Sequence, residues 1–326
     1  MSNKLKIHIL ASGGTIAGLA ASRLDFLGYT AGAARVEDVL AELPEIQDLA
    51  DLRVENFCQV ASENADPDLW LGLARRAEEI LRADDADALV ITAGTDTMEE
   101  LAYFLNLLLK TEKPVVLTGA MRPLSAYGTD GPVNLYNAVA VAAAPESRGK
   151  GVLLVMNDTI LAARQAAKLD SFRLNTFGGG ELGSLGYVVA GQVRFMAAPR
   201  HKHTTETELY LADIKSLPRV EIFYMAAGVD ARLLSTMADL GAAGVVLAGF
   251  GIGTFSTAVA EQLQRLQQRG IICAVASRTQ SGFTISHLPG LLPAADLSPQ
   301  KARILLLLAL ACGKKPADIE RYFGLY

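Results

Sequence analysis

The sequence predicts an α/β protein built on parallel sheets and divided into two domains. Runs typical of strands alternate with helical patterns along most of the 326 residues. Such alternation favours parallel sheets with helices on both faces. A polar stretch at 198–218 has neither pattern, and a new alternating series follows it. The hydrophobic content of 51% is sufficient for a large core.

The first domain is assigned to residues 1–197, and its predicted strands are KIHIL, LRVENF, DALVITA, PVVLTG and GVLLVMN. Between the second and third of these, residues 66–83 have helical periodicity, and Asp66 followed by Pro67 is a typical helix start. Near the end of the domain, YVVAGQVRF predicts a hairpin that turns at Ala190 and Gly191.

The second domain is assigned to residues 219–326, with 198–218 as the linker. Its predicted strands are RVEIFYM, GVVLAGF and IICAVAS. The segment GFGIGT does not complete a dinucleotide-binding GxGxxG motif, so we interpret it as a tight turn between a strand and a helix. The C-terminal helix is predicted to begin at Ser298 and Pro299 and to reach Gly313.

Composition argues against several classes of partner. The net charge of −5 is spread along the chain, which gives no electrostatic reason to expect nucleic acid or an anionic membrane. The longest apolar run, ILLLLALAC, has nine residues, whereas a membrane-spanning helix needs roughly 20. The N-terminal residues enter a strand directly, without the features of a secretory signal. We therefore expect a cytoplasmic protein, or a periplasmic one if a signal peptide has been removed.

The cysteines and histidines do not indicate a metal or redox site. Cys58, Cys273 and Cys312 are far apart and have no CxxC spacing, so we expect three buried small hydrophobic residues rather than a disulfide framework. The pair His201 and His203 has no carboxylate or cysteine at ligand spacing and is interpreted as part of a solvated linker. We expect neither a metal nor another cofactor. No GxSxG motif is present, and the histidines His8, His201, His203 and His287 do not suggest a serine-histidine-acid triad.

Polar residues collect just after the predicted strands, where ligands bind in open α/β sheets. Four successive strand ends carry Ser12 and Thr15, Ser62 and Glu63, Thr95 and Asp96, and the segment GAMR. Taken singly, each of these residues is explained as a turn or capping residue. Taken together, they supply a nucleophile, a second hydroxyl and carboxylates that can hold an ammonium group. This combination favours chemistry on a small zwitterion.

Several motifs together carry a family resemblance. They are ASGGTIAG, ITAGTDTMEE, PVVLTGAMRP, DGPVNLYNAV, VMNDTI with Lys168 nearby, and SPQKARILLLLALA. The chain resembles the bacterial L-asparaginase and glutaminase-asparaginase family, particularly its type II branch, over nearly its whole length. The resemblance implies a larger N-terminal domain with a flavodoxin-like parallel sheet and a smaller C-terminal α/β domain. It also implies a homotetramer of close dimers, with active sites at the dimer contact.

The resemblance assigns roles to individual residues. Thr15 matches the threonine that attacks the substrate amide, Thr95, Asp96 and Lys168 match the group that activates a hydroxyl or water, and Tyr29 matches the tyrosine that closes over the substrate. Lys168 can accept a proton only while it is neutral, and Asp96 opposes that state, so the cluster titrates as a unit. The substrate-binding residues implied are Ser62, Glu63, Thr95, Asp96, Gly14 and Ala120.

The sequence departs from the family pattern in three places. Ala93 stands where the family commonly has histidine, and Ile252 occupies a loop position that is usually polar. The segment 277–295 has no acid, although the family's neighbouring subunit offers a glutamate there, and His287 or Ser286 is a possible substitute. The predicted function is hydrolysis of L-asparagine to L-aspartate and ammonia, with weaker glutaminase activity. The alternatives are a related amidohydrolase of glutamine or another small amide, and a catalytically weak amino-acid-binding protein.

Overall fold

Separate sheets organise the two units of the chain in the computed structural model, which describes residues 4–83, 86–286 and 288–326. The first unit ends at Glu206 and the second begins at Thr207. His287, considered above as a substitute for the missing acid, lies outside the described residues.

The sheet of the first unit is mostly parallel. The strands of this unit are β1 (Lys6–Gly13), β2 (Asp51–Val60), β3 (Ala88–Thr92), β4 (Val115–Thr118), β5 (Val152–Met156), β6 (Thr159–Ala162), β7 (Ala167–Lys168), β8 (Phe177–Gly178), β9 (Gly186–Val189) and β10 (Gln192–Phe195). Eight of them form one sheet in the order β10-β9-β6-β5-β4-β3-β1-β2, while β7 and β8 form a separate antiparallel pair. Strands β1 to β5 are parallel in the order 2-1-3-4-5, which is the flavodoxin-like order. The α/β prediction is confirmed.

Strands β6, β9 and β10 extend this sheet in antiparallel fashion. The predicted hairpin between β9 and β10 is confirmed, and its two turn residues, Ala190 and Gly191, have φ values of 49° and 76°. Positive φ at both central residues is typical of the type I′ turn that suits two-residue hairpins. Strand β6 was not predicted, so the antiparallel part of the sheet is larger than expected.

Helices of the first unit cover the sheet, and they are α1 (Val36–Ala41), α2 (Pro67–Arg82), α3 (Met98–Leu108) and α4 (Gly131–Ala143). The predicted start of α2 is confirmed, because the carboxylate of Asp66 accepts a hydrogen bond from the backbone N–H of Leu69 at 2.8 Å. Every residue of β3, β4 and β5 is buried, as expected for parallel strands covered on both faces. Helix α3 is also buried along nearly its whole length.

The second unit has a parallel sheet of its own, in the order β11 (Val220–Tyr224), β12 (Gly244–Gly249), β13 (Ile272–Ser277) and β14 (Leu291–Pro293). Its helices are α5 (Arg232–Asp239), α6 (Thr257–Gln268), α7 (Pro299–Ala311) and α8 (Pro316–Leu325). GFGIGT forms the expected turn between β12 and α6, where Phe250 and Thr254 form an isolated bridge. Ser298 caps α7 as predicted, by accepting a hydrogen bond from Lys301 N–H.

The apolar run near the C-terminus belongs to helix α7, which has 13 residues and is mostly buried. Among the described residues, no helix combines the length and apolar character needed to cross a membrane.

The segment 198–218 has more structure than its polar composition indicated. It contains short 3₁₀ helices at Thr204–Glu206 and Leu211–Asp213, and the side chains of Leu209 and Ile214 are buried. Widely spaced apolar residues therefore anchor a segment that has no helical or strand periodicity.

Two predictions about side-chain environment were wrong. His203 is partly buried rather than solvated, and this burial lowers the pKa of its imidazole. Of the three cysteines, only Cys273 is buried, whereas Cys58 and Cys312 are partly exposed. Tertiary packing decides the exposure of these side chains, and the local composition does not report it.

Candidate active site

The site lies at the carboxyl edge of the first sheet, where the strand order reverses. Strand β1 pairs with β2 on one side and with β3 on the other, so the chain leaves β1 in one direction and later returns on its opposite side. In open parallel sheets this arrangement leaves a crevice between the loops that follow the two strands. Thr15 follows β1 in a 3₁₀ turn, and Thr95 follows β3. The topology therefore accounts for the meeting of two threonines that are distant in sequence.

A cavity of about 320 Å³ opens at this edge. Its volume falls within the range of sites for small molecules. The lining combines hydroxyls, carboxylates and one lysine with several apolar side chains, and its members are Gly14, Thr15, Phe26, Leu27, Tyr29, Ala31, Ala61, Ser62, Glu63, Thr95, Asp96, Met121, Lys168, Ser171 and Phe172.

Glycines allow three loops to meet at the base of the cavity. Gly14 has φ 83°, and a Cβ there would lie 2.5 Å from the Cα of Gly94. A Cβ on Gly94 would in turn lie 2.6 Å from the Cβ of Ser62. Only glycine fits at both positions, because the backbones after β1 and β3 pack directly on each other and on the loop after β2.

Thr15 contacts Tyr29 through a hydrogen bond between their hydroxyls at 2.7 Å. The loop that carries Tyr29 is closed by backbone hydrogen bonds in both directions between Leu19 and Thr30, at 3.1 and 2.9 Å. Thr15 is 9% exposed. Its hydroxyl thus faces the cavity with a defined partner that can either donate or accept a proton.

Lys168 links the residues that follow β3. Its Nζ donates hydrogen bonds to Oγ1 of Thr95 at 2.9 Å and to Oδ1 of Asp96 at 2.6 Å. The other carboxylate oxygen of Asp96 accepts a hydrogen bond from the hydroxyl of Ser62 at 3.0 Å. The four side chains form one continuous polar chain along the cavity wall.

The charge state of Asp96 follows from opposing effects. Burial is the largest of them and raises the pKa, since it disfavours the carboxylate. The hydrogen bond and positive charge of Lys168, together with the hydrogen bond from Ser62, outweigh it and leave the pKa of Asp96 below its ordinary value. Asp96 is therefore an ionised partner of Lys168 at neutral pH.

Most, but not all, of the residues predicted to bind substrate line the cavity. Ser62 and Glu63 line the cavity from the 3₁₀ turn after β2. Gly14 also lines it, but its N–H already donates to the carbonyl of Val60 at 3.0 Å. Ala120 is fully buried and is not among the lining residues; its neighbour Met121 is. The cavity therefore brings together all the predicted site residues except Ala120.

Sequence reasoning missed part of the cavity wall. Ser171 and Phe172 come from the segment between β7 and β8, and Phe26 and Leu27 come from the loop that carries Tyr29. Their proximity to Lys168 and Tyr29 in the sequence was the available signal. Within the described parts of the chain, no cluster of three or more histidine, cysteine, aspartate or glutamate side chains could hold a metal ion.

Family comparisons cover both units. Residues 6–201 match the family described as Asparaginase, N-terminal, and residues 219–323 match the Glutaminase/Asparaginase C-terminal domain. The first match includes every residue of the cavity lining.

Similar proteins match over nearly the full length. The chain is 40% identical to L-asparaginase 2 of Bacillus subtilis (strain 168), over 98% of this chain and 86% of that protein. It is also 40% identical to glutaminase-asparaginase of Pseudomonas fluorescens biotype A, over 98% and 90%. The crystal structure of a probable cytoplasmic L-asparaginase from Campylobacter jejuni is similar with a TM-score of 0.96 and 40% identity, over 99% of this chain and 100% of that one. The resemblance seen in the sequence motifs is thereby confirmed, and the chain belongs to the asparaginase and glutaminase-asparaginase family.

Proposed function

We propose that the protein is an L-asparaginase, which hydrolyses the side-chain amide of L-asparagine to give L-aspartate and ammonia, with weaker activity on glutamine. The observation that carries the proposal is the pairing, in one cavity, of Thr15 hydrogen-bonded to Tyr29 with Lys168 hydrogen-bonded to Thr95 and Asp96. The names of the relatives, L-asparaginase and glutaminase-asparaginase, support the same amide chemistry.

The reaction proceeds in two halves. In the first, Oγ1 of Thr15 attacks the amide carbon and loses its proton, the C–N bond breaks, and the amide nitrogen gains a proton and leaves as ammonia. In the second, water attacks the resulting ester and restores the threonine hydroxyl as the aspartate product forms. Tyr29 is the first acceptor within reach of the Thr15 proton, at 2.7 Å. Thr95 and Lys168 provide the second hydroxyl and the amine that activate the nucleophile or the water. The amine accepts a proton only while it is neutral, and its ion pair with Asp96 opposes that state.

In both halves negative charge develops on the same carbonyl oxygen, which belongs to the amide in the first half and to the ester in the second. The backbone N–H groups of Thr15 and Thr95 are the donors that we infer for this oxygen. The N–H of Gly14 is not available, because it donates to the carbonyl of Val60. A well-placed donor of this kind contributes about 3 to 4 kcal/mol to the lowering of the barrier.

The α-groups of the substrate bind at the other end of the polar chain. The hydroxyl of Ser62 donates to Asp96, so it must turn away from that carboxylate to donate to the substrate carboxylate. Glu63 is exposed, and its carboxylate receives no hydrogen bond or ion pair from the described residues. Glu63 is therefore the better-placed acceptor for the substrate ammonium, and Asp96 contributes mainly through its charge.

The proposal is tested by measuring ammonia release from asparagine, glutamine and larger amides. Turnover of asparagine that exceeds turnover of glutamine supports an L-asparaginase. Turnover only of larger amides favours a related amidohydrolase, and binding of amino acids without ammonia release favours a binding protein. Either of these two outcomes overturns the proposal.

We further propose a homotetramer. Leu27 and Phe172 are 84% and 54% exposed and line the same cavity, and exposed apolar side chains grouped around a site are consistent with cover by a second copy. Light scattering after size exclusion tests the assembly, and active monomers contradict it.

A cytoplasmic location is proposed as well. It is supported by the description of the Campylobacter jejuni protein as cytoplasmic, although a Haemophilus influenzae relative that is 38% identical is named periplasmic. Fractionation of the source cells decides between the two compartments.

A further inference from the structure

Glu99 is a buried carboxylate that the chemistry above does not use. It lies in the first turn of α3 and is 8% exposed. Its Oε2 accepts a hydrogen bond from the backbone N–H of Lys168 at 2.5 Å, across 69 positions of sequence. Burying a carboxylate is unfavourable unless its charge is compensated by hydrogen bonds, and this contact supplies part of that compensation.

Residues of one short segment, 95–99, therefore contact Lys168 both at its side-chain amine and at its backbone N–H. Thr95 and Asp96 bind its Nζ, and Glu99, three residues after Asp96, binds its backbone. The strand that carries Lys168 has only two residues and pairs with another of two residues. Such a short pair contributes few hydrogen bonds of its own, so the contact with α3 is a substantial part of what fixes the lysine backbone.

We propose that Glu99 is a positioning residue, which fixes the backbone of Lys168 so that Nζ lies between Thr95 and Asp96. The inference rests on the proposed function, in which Lys168 activates the nucleophile or the water. A displacement of about 1 Å in a reacting group can lower a rate on the order of 100-fold. Release of the Lys168 backbone therefore affects kcat more than it affects substrate binding, which belongs to other residues.

A merely structural role is distinguished by a matched control on the same helix. Asn106 is also buried, and its Oδ1 accepts a hydrogen bond from the backbone N–H of Val152 in β5 at 2.9 Å. It does not line the cavity. Asn106→Ala therefore removes the same kind of contact from α3 without releasing Lys168.

The experiment compares Glu99→Gln, Glu99→Ala and Asn106→Ala by kcat and KM for asparagine, together with urea denaturation. Glu99→Ala is expected to lower kcat on the order of 10- to 100-fold with KM changed about twofold or less. Glu99→Gln keeps an acceptor oxygen and is expected to retain kcat within about threefold, while Asn106→Ala is destabilised but keeps kcat. A Glu99→Ala protein with unchanged kcat, or an equal fall in kcat for Asn106→Ala, overturns the proposal.

A second measurement covers the case in which Glu99→Ala does not fold. Glu99→Met keeps an unbranched side chain of similar length but offers the backbone N–H of Lys168 no acceptor oxygen, so it is compared with Glu99→Gln in kcat and KM. Positioning through Lys168 predicts a fall in kcat for Glu99→Met, with little change in KM, that Glu99→Gln does not show. Equal kcat values for the two folded variants contradict it. Inactive wild-type protein would instead show that the proposed function itself is wrong.

Discussion

Lys168 and Asp96 form an ion pair of unequal exposure. Their charged atoms are 2.6 Å apart, yet the lysine side chain is 16% exposed and the aspartate side chain is 57% exposed. Solvent on the aspartate side weakens the attraction, so the pair contributes modestly to stability. Its main consequence is geometric, since it directs Nζ of Lys168 toward Thr95.

The first prediction concerns the pH dependence of this ion pair. The pKa of Asp96 is lowered in the folded protein, so the ionised form stabilises the fold. That contribution is present above the ordinary aspartate value of about 3.9 and is lost as the pH falls through the lower, folded value. Asp96→Asn should therefore be less stable than wild type at about pH 7, and the difference should shrink as the pH falls below about 3.9. Urea midpoints at about pH 7 and at a series of lower pH values measure it, with the exposed Asp68→Asn as control. A difference that persists at low pH would show that the charge is not its source.

The second prediction concerns the nucleophile. Thr15→Ala removes the attacking hydroxyl and should lower kcat for asparagine at least on the order of 1,000-fold, since loss of a nucleophile removes the chemical step. The loss of its hydrogen bond with Tyr29 should change stability by only about 1 kcal/mol. Thr15→Ser keeps a hydroxyl and should recover part of the activity. Ammonia release and thermal denaturation of both variants test this, and near-normal turnover in Thr15→Ala would remove Thr15 from the mechanism.

The third prediction separates chemistry from binding. Lys168→Met removes the basic group, while Ser62 and Glu63 remain in the cavity wall. Calorimetric titration should therefore give aspartate affinity within a few fold of wild type, although turnover is lost. Lost affinity with retained chemistry would reverse the roles assigned to these residues.

Much of the fold was predictable because local patterns report it. Strand β3 was expected at 87–93 and is Ala88–Thr92, and the cap and proline at Asp66 and Pro67 mark the true start of α2. Helix α8 was not predicted, although Pro316 at its first position and Asp318 in its first turn are typical of a helix start. Its N-cap position is Lys315, whose side chain makes no capping hydrogen bond, so the cap residue that marks α2 and α7 is missing from the sequence there.

The candidate site was predictable as a set of residue types and less so as a set of contacts. Strand ends indicated Thr15 and Thr95, because parallel strands bring their carboxyl ends to one edge. Nothing local indicated that Lys168 would reach Thr95 across 73 positions, since that contact depends on a two-residue strand beside α3. The resemblance supplied Lys168, and its two-ended attachment through Glu99 required the structure.

The fourth prediction concerns the wall beyond β4. The carboxylate of Asp130 is 9% exposed and accepts hydrogen bonds from the N–H groups of Met121 and Arg122, and from the side-chain amide of Asn134. Asp130→Ala leaves these donors unsatisfied and should reduce the free energy of unfolding on the order of 3 kcal/mol. Because Met121 lines the cavity, KM should also rise.

Asp66→Ala is the control for Asp130→Ala. It removes a single N-cap hydrogen bond and should lower the free energy of unfolding by about 1 kcal/mol without changing KM. Urea denaturation and Michaelis kinetics on both variants make the comparison. An unchanged KM in a folded Asp130→Ala protein would show that the loop after β4 does not shape the substrate site.

The last prediction concerns Glu63 and the preference for asparagine. Both oxygens of Asp96 already have partners, one with Lys168 and one with Ser62, whereas the exposed carboxylate of Glu63 has none from the described residues. Glu63 thus offers the uncompensated negative charge that holds the substrate ammonium, and holding it fixes the distance from the α-carbon to Thr15. Glutamine is longer by one methylene, so its amide overshoots Thr15 when its α-groups are held in this way. Wild type should therefore have a clearly higher kcat/KM for asparagine than for glutamine. Glu63→Gln should lower kcat/KM for asparagine more than it lowers kcat/KM for glutamine, so the ratio of the two values should fall. Glu45→Gln changes the same charge at an exposed position outside the cavity and should leave the ratio unchanged. Equal use of both amides by wild type, or an unaltered ratio in Glu63→Gln, would show that Glu63 does not set the preference.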